Sequence, residues 1–302
     1  MEKEPKNFKQ PKFIYFMSLN SETNQSWSNV ITSKNSLFSL NLKEVWRYRD
    51  LVYMLVKRDF ITSFKQTILG PIWFFINPIL TTVMFVIIFG RVAGLSTDGT
   101  PMFAFYLAGN ILWNYFSSCL TGTASVFRGN ASIFGKVYFP RLVMPLSVVT
   151  SNLMRFGVQF TLFIIVVLYY YFTGASIEPN MWLLATPFLI ILMAAFALGT
   201  GMILSSLTTK YQDVNMLLGF GVSLAMYATP VIMPLSSFPD KYRWLVELNP
   251  LTGIFECFKY GFLGKGDFTI GLLGYSTLVI FVLLVIGTLI FNKVEKSFMD
   301  TV

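Results

Sequence analysis

Between residues 69 and 291 the chain is organised as long apolar runs separated by short polar stretches, and six of these runs reach the length that a bilayer requires. They cover residues 69–89, 102–126, 142–172, 182–207, 214–233 and 270–291. A hydrocarbon core about 30 Å thick is crossed by about 20 helical residues, so each run predicts a transmembrane helix. The third is longer than the core and is expected to tilt or to project into water. Gly70-Pro71 and Pro78 fall in the first run. Such residues are tolerated in membrane helices, where neighbouring helices satisfy the freed backbone groups.

Two segments break the pattern. Over residues 42–66, Val45, Tyr48, Val52, Leu55, Phe60 and Phe64 recur every three to five residues among Arg47, Arg49, Lys57, Arg58 and Lys65. This spacing predicts a basic amphipathic helix. It would lie on the cytoplasmic leaflet or pack on a partner protein, and the spacing leaves both readings open. Over residues 234–268, Pro239, Pro250, Gly253, Gly261, Gly264 and Gly266 interrupt apolar stretches too short to span. The segment reads as two short helices dipping into the outer leaflet, or as a folded outer loop.

Composition agrees with a bilayer protein: 54% of the 302 residues are hydrophobic and only 13% charged, against about a quarter charged in soluble domains. The formal charge of +8 would fit nucleic acid if it were spread over a surface, so its position decides. Residues 1–41 are polar, rich in Asn, Ser and Lys, and lack the apolar core of a signal peptide. They are expected to form a cytoplasmic tail. With the N-terminus inside, 17 of the 23 Lys and Arg fall in cytoplasmic segments and 5 in outer ones, with Arg155 inside the third run. This bias predicts that both termini are cytoplasmic, and it accounts for the charge without nucleic acid.

The chain contains no His, and its two cysteines, Cys119 and Cys257, both lie in apolar surroundings. No disulfide framework, metal site or histidine chemistry is expected. A phosphate-cradling G-x-x-x-x-G-K-[ST] loop is absent: Gly135-Lys136 is followed by Val137. Energy for any transport must then come from an ion gradient or a separate ATPase.

Polar residues inside the runs form stripes. Tyr106, Asn110, Trp113, Asn114, Ser117 and Thr121 share one face of the second run, and Ser147, Ser151, Asn152, Arg155 and Gln159 one face of the third. Two readings are open. Aromatic faces, amides and hydroxyls suit a path for a hydroxyl-rich substrate; equally, such groups bond helices to one another. An ion pair would also explain Arg155. Ala104/Ala108 and Ala197/Gly201 have the small-residue spacing that permits close helix approach.

Several stretches occur in an order that resembles the permease subunits of type-2 ABC transporters exporting O-antigen, capsule or teichoic-acid chains. They are Trp46-Arg47-Tyr48-Arg49-Asp50-Leu51, Lys65-Gln66-Thr67-Ile68-Leu69-Gly70-Pro71-Ile72-Trp73, and Lys136-Val137-Tyr138-Phe139-Pro140-Arg141-Leu142-Val143-Met144-Pro145-Leu146-Ser147. Tyr211-Gln212-Asp213-Val214, Pro230-Val231-Ile232, Trp244 with Asn249-Pro250-Leu251, and Val294-Glu295 follow. The resemblance covers about residues 43–300. It implies an all-α membrane protein with six transmembrane helices per subunit, an N-terminal interfacial helix and re-entrant outer helices between the fifth and sixth spans.

It further implies a homodimer in the bacterial inner membrane, docked on a nucleotide-binding ATPase subunit that binds ATP and Mg in this chain's place. The cargo it implies is a polyprenyl-diphosphate-linked glycan, and this chain would be a non-catalytic permease carrying no cofactor. The connection 127–141, with Lys136, Tyr138, Phe139, Pro140 and Arg141, corresponds to the element that couples to the ATPase. Arg47, Arg49, Lys57, Arg58 and Arg128 form a basic collar that would attract anionic lipid and a diphosphate headgroup. Arg155 is less easily carried over, because the family often has other polar or acidic residues thereabouts. Read without the resemblance, the chain also fits an ion-driven flippase or secondary transporter, although no inverted repeat of broken helices is visible. A non-transporting envelope-assembly subunit fits as well.

Overall fold

The computed structural model describes residues 42–65, 67–134 and 139–299. Lys136, Tyr138 and the tail 1–41 lie outside the described residues. Among the described residues every regular element is helical.

The chain opens with α1 (Leu42–Arg47) and α2 (Arg49–Thr62), which break at Tyr48. A short 3-10 turn, Gly70–Ile72, leads into α3 (Trp73–Phe85), which loosens into a π-helical stretch, Val86–Val92. Then come α4 (Met102–Ala124), two single turns α5 (Val126–Gly129) and α6 (Ala131–Phe134), and the 30-residue α7 (Val143–Phe172). After a 3-10 turn at Met181–Ala185 follow α8 (Thr186–Lys210), α9 (Asp213–Tyr227), α10 (Asp240–Glu247), α11 (Pro250–Leu263) and α12 (Ile270–Met299).

Among the described residues, four segments are long and apolar enough to cross a membrane: Gly70–Val92, Val143–Phe172, Met181–Lys210 and Ile270–Lys293. They carry exposed Leu80, Met84, Ile165, Leu168, Ile191, Leu278 and Phe281. A surface this apolar is stable against lipid, not water. Helix α4 is equally long but occupies the middle of the bundle: 16 of its 23 residues are buried. That position explains why it carries more polar groups than its neighbours, because its side chains meet protein. Tyr115 packs on Phe156 of α7 at 5.2 Å between centroids, and Phe116 stacks on Phe196 of α8, also at 5.2 Å.

The fifth apolar run does not form one helix. Helix α9 stops at Tyr227, because Pro230 disfavours helical backbone at Thr229. The apolar Val231 and Ile232 beyond it are buried in the main core. A Cβ at Gly109 of α4 would stand 2.8 Å from the Val231 carbonyl oxygen, so this glycine lets the loop lie on α4.

Helices α8 and α12 approach closely through Gly199 and Gly287. A Cβ on Gly199 would stand 2.8 Å from the Leu284 backbone, and one on Gly287 would collide with the Gly199 carbonyl. The second small-residue site expected from the sequence, Gly201, faces Thr123 of α4, where a Cβ would come within 2.7 Å.

Segment 234–268 holds α10 and α11. Asn249 caps α11: its side-chain oxygen accepts from the Leu251 amide at 3.0 Å, and its Nδ2 donates to Thr229 Oγ1 at 2.9 Å. Pro250 occupies the first helical position, where no amide is needed. The Asn-Pro-Leu motif therefore starts a helix and ties it to the end of α9. Gly264 ends α11 in the left-handed region, at φ 76°.

Candidate functional site

A polar groove runs along the side of α4 where the surrounding helices leave it uncovered. Two adjoining hollows, of about 490 and 610 Å³, share Ser118 and Thr121. In the smaller, Asn110, Trp113, Asn114 and Ser117 of α4 face Thr81 and Phe85 of α3 and Ser223 and Tyr227 of α9. The larger lies between Gly122 and Ser125 of α4, Ser151, Asn152 and Arg155 of α7, and Asp59, Thr62 and Ser63 at the end of α2. The two stripes expected from the sequence thus meet in one groove, through most of their members.

The exceptions are informative. Tyr106 is fully buried, with its ring 5.5 Å from Phe105 and 6.2 Å from Phe85, and its hydroxyl has no partner. Phe85 covers the end of the α4 stripe, so Tyr106 packs beneath the groove and does not line it. Gln159 is half-buried and lines neither hollow. Asn110 does two things: it borders the groove, and its Nδ2 donates to the Pro78 carbonyl at 3.3 Å and to Thr82 Oγ1 at 3.5 Å, joining α4 to α3.

Four hydroxyls of the larger hollow are oriented by their own helices. Thr62 donates to the Arg58 carbonyl at 2.6 Å, Ser63 to Phe60 at 2.6 Å, Thr121 to Ser117 at 2.7 Å and Ser125 to Thr121 at 2.8 Å. Their protons are engaged, and the groove receives oxygen lone pairs. Arg155 donates through Nη1 to Asn152 Oδ1 at 3.2 Å and weakly through Nη2 to the Asp59 carbonyl at 3.5 Å.

In the basic collar, Arg47, Arg49, Lys57, Arg58 and Arg128 are all exposed. Arg49 lies 3.9 Å from Asp50, and Arg58 is paired with Asp59 at 2.8 Å. The described part of the 127–141 connection turns inward. Phe139 is buried and stacks on Phe134 at 5.6 Å, while the Arg141 guanidinium sits 5.4 Å from the Phe134 ring and 5.9 Å from Phe127. Phe127 in turn stacks on Phe291 of α12 at 4.8 Å. Pro140 is half-buried beside them. This cluster also takes in Val45 and Leu55 from α1 and α2, so the connection and the N-terminal helices share one core.

The sequence reading passed over Glu256 and Lys259, which are fully buried on α11. Glu256 accepts from the Asp267 amide at 3.1 Å and the Leu235 amide at 3.4 Å. Lys259 donates to the Pro230 carbonyl and stands 3.6 Å from the centre of the Phe105 ring. The pair ties α11 to α4 and to the loops on either side. Its signal was an acid and a base three residues apart in an apolar helix, of which only Lys259 was counted, as an outer-segment charge. Nearby, Arg243 bridges Glu247 at 2.9 Å and Asp267 at 3.1 Å, and the Glu247 bond is the main reason its pKa is raised.

A helical bundle with an apolar exterior and a polar groove against its central helix is a multi-pass membrane protein of the kind that moves solutes. Residues 50–263 match the family model described as "ABC-2 type transporter", and the chain belongs to that family. It is 28% identical over 256 residues to the O-antigen export system permease protein RfbA of Klebsiella pneumoniae, covering 83% of this chain and 94% of that protein. RfbA of Myxococcus xanthus is 27% identical over 220 residues, covering 72% and 82%. The capsule polysaccharide export inner-membrane protein CtrC of Neisseria meningitidis is 23% identical over 254 residues, covering 82% and 92%.

Proposed function

We propose that this chain is the permease subunit of an ATP-driven exporter that carries a lipid-linked polysaccharide, an O-antigen in first place, across the bacterial inner membrane. The observation that carries the proposal is the groove. It offers hydroxyl, amide and aromatic groups along one side of a membrane bundle, which is the chemistry that sugar rings and their hydroxyls require. Family membership and the export permeases among its relatives favour this reading over an ion-driven flippase.

In this reading six segments cross the membrane: the α3 segment, α4, α7, α8, α9 and α12. Helix α9 has 15 residues, about 22 Å of helix, and depends on the loop after it to complete its crossing. Helices α10 and α11 dip into the outer leaflet. Helices α1 and α2 lie at the cytoplasmic interface, where their basic collar meets anionic lipid and the diphosphate of the cargo, and both termini are cytoplasmic. A second copy closes the groove into a channel. Helix α9, which buries none of its residues and exposes Met216, Leu217, Phe220 and Leu224, is the side offered to that copy.

ATP and Mg belong to a separate ATPase subunit, whose motion reaches the helices through the connection 127–141. Phe139 and Arg141 act there by holding the connection on Phe127 and Phe134 instead of touching the ATPase. Deletion of the gene tests the proposal. The mutant should accumulate lipid-linked glycan inside the cell, export should return with the full chain, and an ATPase should purify with it. Unchanged surface glycan in the deletion strain, or purification without any ATPase, would refute it.

A further inference from the structure

Arg155 sits within α7, one of the four segments apolar enough to cross the membrane, yet among the described residues no carboxylate lies within ion-pair distance of it. Asp59 is paired with Arg58 at 2.8 Å; its backbone carbonyl accepts from Arg155 at 3.5 Å, and its carboxylate, on the edge of the same hollow, attracts Arg155 from beyond ion-pair distance. The Nε–H of Arg155 is buried without a partner, and so is the hydroxyl of Ser151 one turn earlier. Ser151 is 3% exposed, and both residues line the larger hollow. A cation on an apolar spanning segment is costly unless something answers it, and a buried donor left unpaired adds to that cost.

The rest of the hollow has the opposite character. Thr62, Ser63, Thr121 and Ser125 have given their protons to carbonyls of their own helices and present acceptor oxygens. The hollow therefore places unsatisfied donors, one of them positively charged, beside a field of acceptors. A neutral sugar chain could accept from both donors but would leave the positive charge of Arg155 unanswered, and a bare inorganic anion would leave the acceptors unmatched. A group that answers both is an oxyanion carried directly on a sugar, with ring hydroxyls on either side of it.

We infer that Arg155 and Ser151 form an oxyanion subsite for the moving glycan. Arg155 meets the anionic oxygen with its guanidinium, Ser151 turns its free hydroxyl toward the hollow to donate a second bond, and the hydroxyls of α2 and α4 accept from the flanking sugar hydroxyls. The inference rests on the export reading and adds the charge of the cargo to it. Two sources supply this chemistry: the diphosphate that joins the first sugar to its lipid, and a carboxylate on an acidic sugar within the chain.

The test uses the full chain in nanodiscs of zwitterionic phosphatidylethanolamine, titrated with three probes: farnesyl-diphospho-N-acetylglucosamine, a glucuronate-containing tetrasaccharide and a neutral maltotetraose. The expected result is a preference of about tenfold or more for one anionic probe over maltotetraose. R155Q should abolish that preference, R155K should keep part of it, and S151A should weaken it a few-fold. The favoured probe identifies the source. Equal binding of all three probes by the wild-type chain overturns the inference, as does a preference that survives in a folded R155Q. The export reading is tested separately in the deletion strain. If the wild-type chain restores export but shows no anion preference, only the subsite falls. If the preference is present but no glycan is exported, the export reading falls and an anion site remains.

Discussion

Replacing Lys259 with methionine isolates the buried charge pair of α11 at little change in volume. Three interactions bear on it. The ammonium donates to the Pro230 carbonyl, lies 3.6 Å from the centre of the Phe105 ring, and is the cation nearest in sequence to the fully buried Glu256. A hydrogen bond from a charged donor is worth about 1.5–3 kcal/mol, and a desolvated cation–π contact about 2 kcal/mol. These overlap with the cost of leaving Glu256 as an uncompensated buried charge, so they do not simply add. Glu256 and Lys259 attract each other across the helix without a direct ion pair, so the charged hydrogen bond and the ring contact set the scale, and K259M is expected to cost about 2–3 kcal/mol. The double variant E256Q/K259M removes both charges and should be less destabilised than the sum of the single variants by at least about 1 kcal/mol. Unfolding of the detergent-solubilised protein by SDS, followed by tryptophan fluorescence, measures all four corners of the cycle. A K259M protein within about 0.5 kcal/mol of wild type, or a strictly additive cycle, would refute the reasoning.

Three further outcomes are expected. Gly287→Val forces side-chain atoms into the Gly199 backbone and should destabilise the α8–α12 contact by at least about 1–3 kcal/mol; an unchanged melting temperature in detergent would show that the helices separate at no cost. Trp113→Leu or Asn114→Leu should lower glycan export several-fold in the deletion strain while the ATPase still co-purifies, and normal export by both would reduce these residues to packing. Arg141→Ala removes a guanidinium lying over two aromatic rings, a loss of about 1–2 kcal/mol. It should reduce the ATPase recovered with the permease more than it reduces permease yield, and equal recovery would count against a positioning role.

The apolar runs made the long helices legible, because a helix facing lipid must be apolar along its length. The α4 stripe was legible for a related reason: residues three and four apart share a face, and Asn110, Trp113, Asn114 and Ser117 do border one groove. Spacing on one helix is silent about which neighbour covers that face. For this reason Tyr106, which keeps the same period, lies beneath Phe85. The end of α9 was misread because hydropathy counts Val231 and Ile232 as span, whereas Pro230 decides the backbone and Gly109 gives the loop its seat. The contact of α8 with α12 depends on Gly199 and Gly287, which are 88 positions apart, and no local period links them. Lys259 was counted among the outer-segment charges and Glu256 was not singled out, because composition does not distinguish a solvated charge from a buried one.

The hydroxyls that line the groove have a mechanical consequence. With their protons held by their own helices, Thr62, Ser63, Thr121 and Ser125 would meet a sugar ring, in the export reading, only as acceptors. A glycan advanced by one ring would exchange each contact for a nearly equivalent one, so the energy along its path would be shallow and repetitive. Such a surface would generate little friction and keep no account of chain length. A polymer of any number of repeats would slide through it in the same way, checked only where the anionic group passes Arg155.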